Sequence, residues 1–186
     1  MNQNLVFFSN FLKKPKEIAS AVPSSRYVIR NILKHIDFEN AECIIEYGPG
    51  IGNITGALLK RLKPRARLIC FETNKKFCRL LGENMRDTRL KIVNDTAKNL
   101  DFYLKKDNIA NVDYVISGIP FSLINMNDKK SIICKTRDSL RLGGKFIVYQ
   151  LRPHMKKYLG IYFKKILLKI EIRNIPPTFI FICEKT

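Results

Sequence analysis

From residue 43 to the end, short runs of β-branched, aromatic and aliphatic residues alternate with stretches whose apolar positions recur every three or four residues. That alternation is the signature of βαβ units and a mainly parallel sheet. Strands are predicted over 43–46, 68–71, 90–93, 114–116, 146–149, 170–172 and 179–182. Helices fit between them over 53–63, 75–85 and 129–140, with Gly143 and Gly144 expected to end the last one.

Two segments stand outside this core: residues 4–36, and residues 151–169 between the fifth and sixth strands. In the first, Leu5, Phe8, Phe11 and Leu12 fall on one helical face and are followed by Lys13, Lys14 and Lys16. In the second, Met155, Tyr158, Leu159 and Tyr162 keep helical spacing among Arg152, Lys156, Lys157, Lys164, Lys165 and Lys169, with no acid among them. Each stripe either covers the sheet or meets a partner. The organisation expected is an amphipathic leader over residues 1–37 and a single α/β domain over 38–186.

The length of 186 residues suits one domain. No uninterrupted apolar run approaches the roughly 20 residues of a membrane-spanning helix. The amino terminus lacks the basic start, long apolar stretch and small-residue cleavage site of a secretory signal, so a cytoplasmic protein is expected. Cys43, Cys70, Cys78, Cys134 and Cys183 show no CxxC pair and read as reduced packing thiols. Charge changes the picture more. Against 16 Asp and Glu stand 34 Lys and Arg, a formal net charge of +18, which implies attraction to an extended anionic surface, nucleic acid or acidic lipid.

The chemistry concentrates where strands end. Glu46-Tyr47-Gly48-Pro49-Gly50-Ile51-Gly52 follows an apolar strand and opens a helix, so its glycines permit a tight turn and close approach of a ligand. A dinucleotide fingerprint spaces its glycines G-x-G-x-x-G, whereas these read G-x-G-x-G with an acid two residues ahead, which favours S-adenosylmethionine. Glu46 either holds the amino-acid end of that cofactor or grips the glycine loop. Glu72, with Thr73 beside it, ends the second strand, where a carboxylate accepts hydrogen bonds from both ribose hydroxyls. Asp95 and Thr96 end the third strand, either facing the adenine amino group or capping a helix. Ser117-Gly118-Ile119-Pro120-Phe121 ends the fourth and should line the methyl-transfer site, with Ser117 on the cofactor, Ile119 and Pro120 on the substrate, and the Phe121 ring shielding a cationic centre.

At these motifs the chain resembles the bacterial-type phospholipid N-methyltransferases, which methylate phosphatidylethanolamine, and more distantly the ribosomal RNA adenine dimethyltransferases. Residues 7–26, Ser117-Gly118-Ile119-Pro120 and Asn174-Ile175-Pro176-Pro177-Thr178-Phe179 carry the resemblance to the lipid enzymes. The RNA enzymes have Asn-Leu-Pro-Tyr/Phe after the fourth strand, and here Ser117-Gly118 replaces the Asn. They also carry a carboxy-terminal helical domain, whereas this chain ends at Thr186.

The resemblance implies a Rossmann-like, seven-stranded, class I S-adenosylmethionine-dependent methyltransferase fold. It implies an enzyme that turns phosphatidylethanolamine into mono-, di- and trimethylated lipid, the last being phosphatidylcholine; a monomer at the inner face of the membrane is expected, and the chemistry needs no metal. Tyr149 or His154 is expected to take the proton from the amine, Arg152 and Lys156 to meet the lipid, and Ser24 and Ser25 to close over the cofactor. Two alternatives stay open: an RNA adenine N6-methyltransferase, and a non-catalytic cofactor-binding or membrane-associated module.

Overall fold

A computed structural model describes residues 25–186. One seven-stranded sheet runs through it in the order β3-β2-β1-β4-β5-β7-β6. The strands are β1 (Cys43–Tyr47), β2 (Arg67–Phe71), β3 (Leu90–Val93), β4 (Val112–Ser117), β5 (Leu140–Gln150), β6 (Lys165–Glu171) and β7 (Thr178–Glu184). The first five pair in parallel and β7 lies antiparallel between β5 and β6. The helices are α1 (Arg26–Leu33), α2 (Asn53–Leu59), α3 (Lys75–Asn84), α4 (Leu100–Lys106), α5 (Met126–Ser139) and α6 (Met155–Tyr162). This is the Rossmann-like α/β architecture expected from the alternation.

Every residue of β1 is buried, because helices cover both faces of a parallel sheet. Its side chains alternate between two cores: Cys43, Ile45 and Tyr47 join Phe71, Val115 and Phe146, while Ile44 joins Leu68, Ile116 and Ile147. α1 contributes Val28, Ile32 and Leu33 to the second core, so the end of the expected leader packs as part of the domain. The rest of that leader, from Leu5 to Lys16 and on to Ser24, lies outside the described residues.

Three elements differ from expectation. α5 stops at Ser139 with Leu140 already extended, and Gly143-Gly144 forms a bulge inside β5 rather than a helix stop. A Cβ on Gly144 would stand 2.8 Å from the Arg141 carbonyl oxygen and 3.1 Å from that of Asp113, so only glycine fits. β6 begins at Lys165, five residues before its expected start at 170, so only Met155–Tyr162 of the 151–169 segment is helical. Met155 and Leu159 of α6 are fully buried, so its apolar stripe covers the sheet. α4 was not anticipated. Among the described residues no helix is long and apolar enough to cross a membrane.

Candidate active site

The parallel strands all end at one edge of the sheet, and β7 begins there, with Gln150 opposite Phe179. Ligands of open α/β sheets bind at this carboxyl edge. The loop after β1 makes its turn with positive φ at Gly48, Gly50 and Gly52, at 67°, 57° and 87°. It is knitted to its neighbours: the Gly48 N–H donates to the Phe71 carbonyl at 2.9 Å, and the Gly118 N–H donates to the Tyr47 carbonyl at 2.9 Å.

A cavity of about 370 Å³ opens beside this loop. Gly48, Glu72, Thr73, Asp95, Thr96, Gly118, Ile119 and Pro120 line it, so the ends of four strands meet in one place as the motifs required. Residues that sequence reasoning missed complete the wall: Phe71, Ala97 and Lys98 on one side, Leu123, Ile124, Asn125, Asp128 and Ile132 on the other. The Asn125-to-Asp128 spacing carried a readable signal. Asn125 caps α5 by accepting from the Asp128 N–H at 2.9 Å, a cap-and-third-residue pattern placed just ahead of the expected helix start.

Glu72 is 7% exposed, and its two oxygens accept from the Gly50 N–H at 3.2 Å and the Asn74 N–H at 2.9 Å. Burial raises its carboxyl above the ordinary range, and these backbone donors oppose the rise. Each oxygen keeps one lone pair, enough for a pair of vicinal hydroxyls. Asp95 is more fully occupied. Its Oδ1 accepts from the Thr96 N–H at 2.7 Å and its Oδ2 from the Tyr103 hydroxyl at 3.0 Å, while the Asn99 amide bridges both oxygens. These donors, Asn99 first, hold its carboxyl below the usual value.

Glu46 lies beneath the loop. Its Oε2 accepts from the Thr55 hydroxyl of α2 at 2.7 Å and from the Cys70 thiol, while Oε1 is buried with no partner among the described residues. Burial pushes this carboxyl up to about 7. The geometry shows the gripping role, since Glu46 holds α2 through Thr55 and does not line the cavity.

Several expected site residues stand elsewhere. The Phe121 ring is fully buried, because the 3-10 turn over Phe121–Leu123 directs it into the core and away from the pocket wall. Ser117 is also fully buried, its hydroxyl accepting from the Ile119 N–H at 3.4 Å. Ser25 caps α1 and donates its N–H to Asn174 at 3.3 Å, which ties it to the β6–β7 hairpin at the carboxyl edge. Arg152 and Lys156 are exposed and off the wall. Tyr149 stands directly behind the wall: a Cβ built on Gly118 would fall 2.1 Å from its hydroxyl oxygen. Position 118 is therefore glycine because the Tyr149 hydroxyl occupies the space of a side chain.

With this geometry in place, likeness to known proteins is informative. Residues 2–136 match the family described as ribosomal RNA adenine dimethylase. The chain is 28% identical over 185 residues to the ornithine lipid N-methyltransferase of Singulisphaera acidiphila, covering 98% of this chain and 96% of that one. It is 36% identical over 85 residues to the ribosomal RNA small subunit methyltransferase A of Pelagibacter ubique, covering 46% of this chain and only 31% of that one. Among solved structures, the N-methyltransferase NodS of Bradyrhizobium japonicum WM9, in complex with S-adenosyl-L-homocysteine, superposes with a TM-score of 0.69 at 11% identity over 99% of both chains. The precorrin-6y C5,15-methyltransferase of Geobacter metallireducens superposes with a TM-score of 0.70 at 12% identity, over 89% of this chain and 92% of that one. The chain belongs to the ribosomal RNA adenine dimethylase family and is an S-adenosylmethionine-dependent methyltransferase.

Proposed function

We propose that the enzyme N-methylates the primary amine of a membrane aminolipid. Phosphatidylethanolamine is the acceptor expected from the sequence, through mono-, di- and trimethylated products, and an ornithine lipid is the acceptor that the relative's name brings forward. The observation that carries this reading is the end-to-end similarity to the lipid enzyme, which continues past residue 136 where the family match stops. Beyond that point lie β5 and α6, with Tyr149, Arg152 and His154.

Two structural features support it. The Phe121 ring is withdrawn into the core, so it offers no stacking face to a flipped base. Exposed apolar side chains rim the carboxyl edge, Leu123 and Met126 beside the pocket and Leu151, Ile172 and Ile175 at the ends of β5 and β6, in a strongly basic chain. That combination suits an acidic lipid surface, where each basic side chain contributes about 1 kcal/mol.

The residues fit the cofactor: Gly48, at positive φ, brings backbone without a side chain to the pocket wall, and Glu72 faces the pocket with acceptor positions for ribose hydroxyls. Asp95, Thr96 and Ala97 form the wall proposed for the adenine. S-adenosylmethionine, when bound, supplies a methyl group whose bond to sulfur breaks as the amine nitrogen attacks. Gly118, Ile119 and Pro120 then position the amine by excluding water from their side of the pocket. The amine must lose a proton first, and the Tyr149 hydroxyl, against Gly118, is the proposed relay, taking the amine's proton as it passes its own to solvent. Radiolabelled methyl transfer in parallel to phosphatidylethanolamine vesicles, ornithine-lipid vesicles and total RNA tests the reading. Label in lipid is expected, and label confined to RNA overturns it.

A further inference from the structure

Between the first turn of α5 and the start of α6, basic side chains converge beside the pocket. Lys129 is only 5% exposed, and its Nζ stands 4.5 Å from the centroid of the Tyr158 ring. Lys157 places its own Nζ 4.9 Å from the same ring. The neighbouring acid is committed elsewhere, since Asp128 accepts from Lys98 at 2.9 Å and from the Asn125 amide at 3.0 Å. His154, which caps α6, keeps Nε2 buried without a hydrogen-bond partner among the described residues. Its imidazole is held toward the neutral form by burial first, then by Lys129, Arg152 and Lys157.

A lysine with no carboxylate partner among the described residues calls for a counter-charge, and a buried ring nitrogen calls for a partner. The amino-terminal end of α6 adds the positive pole of a helix to the same spot. A single anion satisfies all three requirements. Its distance from the chemistry is short in structural terms: Lys129 and the wall residue Ile132 are three apart in α5 and so neighbours on one face. The pocket itself has a net negative lining, Glu72, Asp95 and Asp128 against Lys98, a field that suits an amine.

We propose that Lys129, His154 and Arg152 form an anion subsite that holds the acid group of the substrate headgroup while its amine enters the pocket. The acid is the phosphodiester of a phospholipid or the carboxylate of an amino-acid lipid, and the assignment rests on the aminolipid reading above. The subsite thereby selects zwitterionic headgroups over simple amines.

The test has two arms. In the first, inorganic phosphate is titrated by calorimetry against the wild-type chain, Lys129→Gln, His154→Gln and the exposed control Lys164→Gln, with S-adenosylhomocysteine affinity as the check on folding. Phosphate affinity falls about tenfold or more in Lys129→Gln and His154→Gln and stays within about twofold in Lys164→Gln. Equal loss in all three variants, or none in the first two, overturns the subsite. In the second arm, the same variants methylate phosphatidylethanolamine, ornithine lipid and sphingosine in vesicles, the last having an amine and no acid. KM rises about tenfold for whichever zwitterionic lipid is used and is unchanged for sphingosine, with kcat retained. An equal rise for sphingosine overturns the headgroup assignment. Phosphate binding lost in Lys129→Gln and His154→Gln, with no lipid turnover by the wild type, overturns the headgroup assignment and the aminolipid reading together while leaving an anion site.

Discussion

The pocket at the carboxyl ends of β1 to β4 and the junction of α5 with α6 beside it are built on opposite electrostatic plans. In a chain of net charge +18, the pocket is lined by Glu72, Asp95 and Asp128 against a single lysine, Lys98. One helical turn away, His154 is surrounded by Lys129, Arg152 and Lys157. Coulomb energy in partly buried sites is several-fold larger than in water, so on the proposed reading this contrast sorts the two ends of a zwitterionic substrate. The acidic half suits a cofactor and an amine that both carry positive charge, and the basic half suits the negative end of the same substrate. On the proposed reading, the basic cluster and the acidic pocket are parts of one recognition scheme.

If the halves are separable, variants should divide cleanly between kcat and cofactor affinity. The largest effect is expected from Tyr149→Phe, which removes the proposed proton relay and should lower kcat by about 100-fold or more while leaving S-adenosylhomocysteine affinity unchanged. Loss of affinity instead would place Tyr149 in the cofactor half. Next comes Glu72→Gln, which loses charge-assisted acceptors and should weaken S-adenosylhomocysteine binding by about 100-fold, measured by calorimetry.

Glu46 sharpens the comparison through pH. Its folded carboxyl titrates at about 7 against an ordinary 4.5, so the folded chain holds a proton that the unfolded chain releases. The contribution of this group is fully present below about 4.5 and is lost as pH rises through about 7. Glu46→Gln should therefore flatten the decline of stability across that window by about 2 to 3 kcal/mol, read from denaturant melts of the cofactor-free protein. An unchanged slope would assign the pH dependence to another group. The smallest effect is expected at the pocket rim: Lys98→Ala removes the 2.9 Å pair with Asp128, both partners partly exposed, and should cost less than about 1 kcal/mol of thermal stability.

The cofactor half was the more legible in the sequence. Strands buried on both faces read as unbroken apolar runs, and the glycine turn and Glu72 each sit at the end of one, while Asp95 follows the half-buried β3, where Lys91 interrupts the run. The substrate half was harder because its signals depend on neighbours distant in the chain. Phe121 looks like a pocket ring in sequence, yet a 3-10 turn rotates it into the core. Lys129 looks like any helix lysine until α6 packs over it and buries it. Gly143-Gly144 carries the composition of a helix stop, and only the carbonyls of Arg141 and Asp113 reveal the bulge. β6, with exposed lysines between aliphatic residues, has the mixed pattern of an edge strand, which periodicity reads poorly.

That edge strand bears on how the molecule behaves in bulk. β6 closes one side of the sheet, and its outer row of backbone donors and acceptors is a template onto which another strand can add. Lys164 and Lys169, both exposed, place like charges along that border, so two copies approaching edge to edge repel one another. Such repulsion fades once the Debye length shrinks to about 3 Å in 1 M salt. Edge-to-edge repulsion between copies is therefore a force of dilute electrolyte, and concentrated salt weakens it.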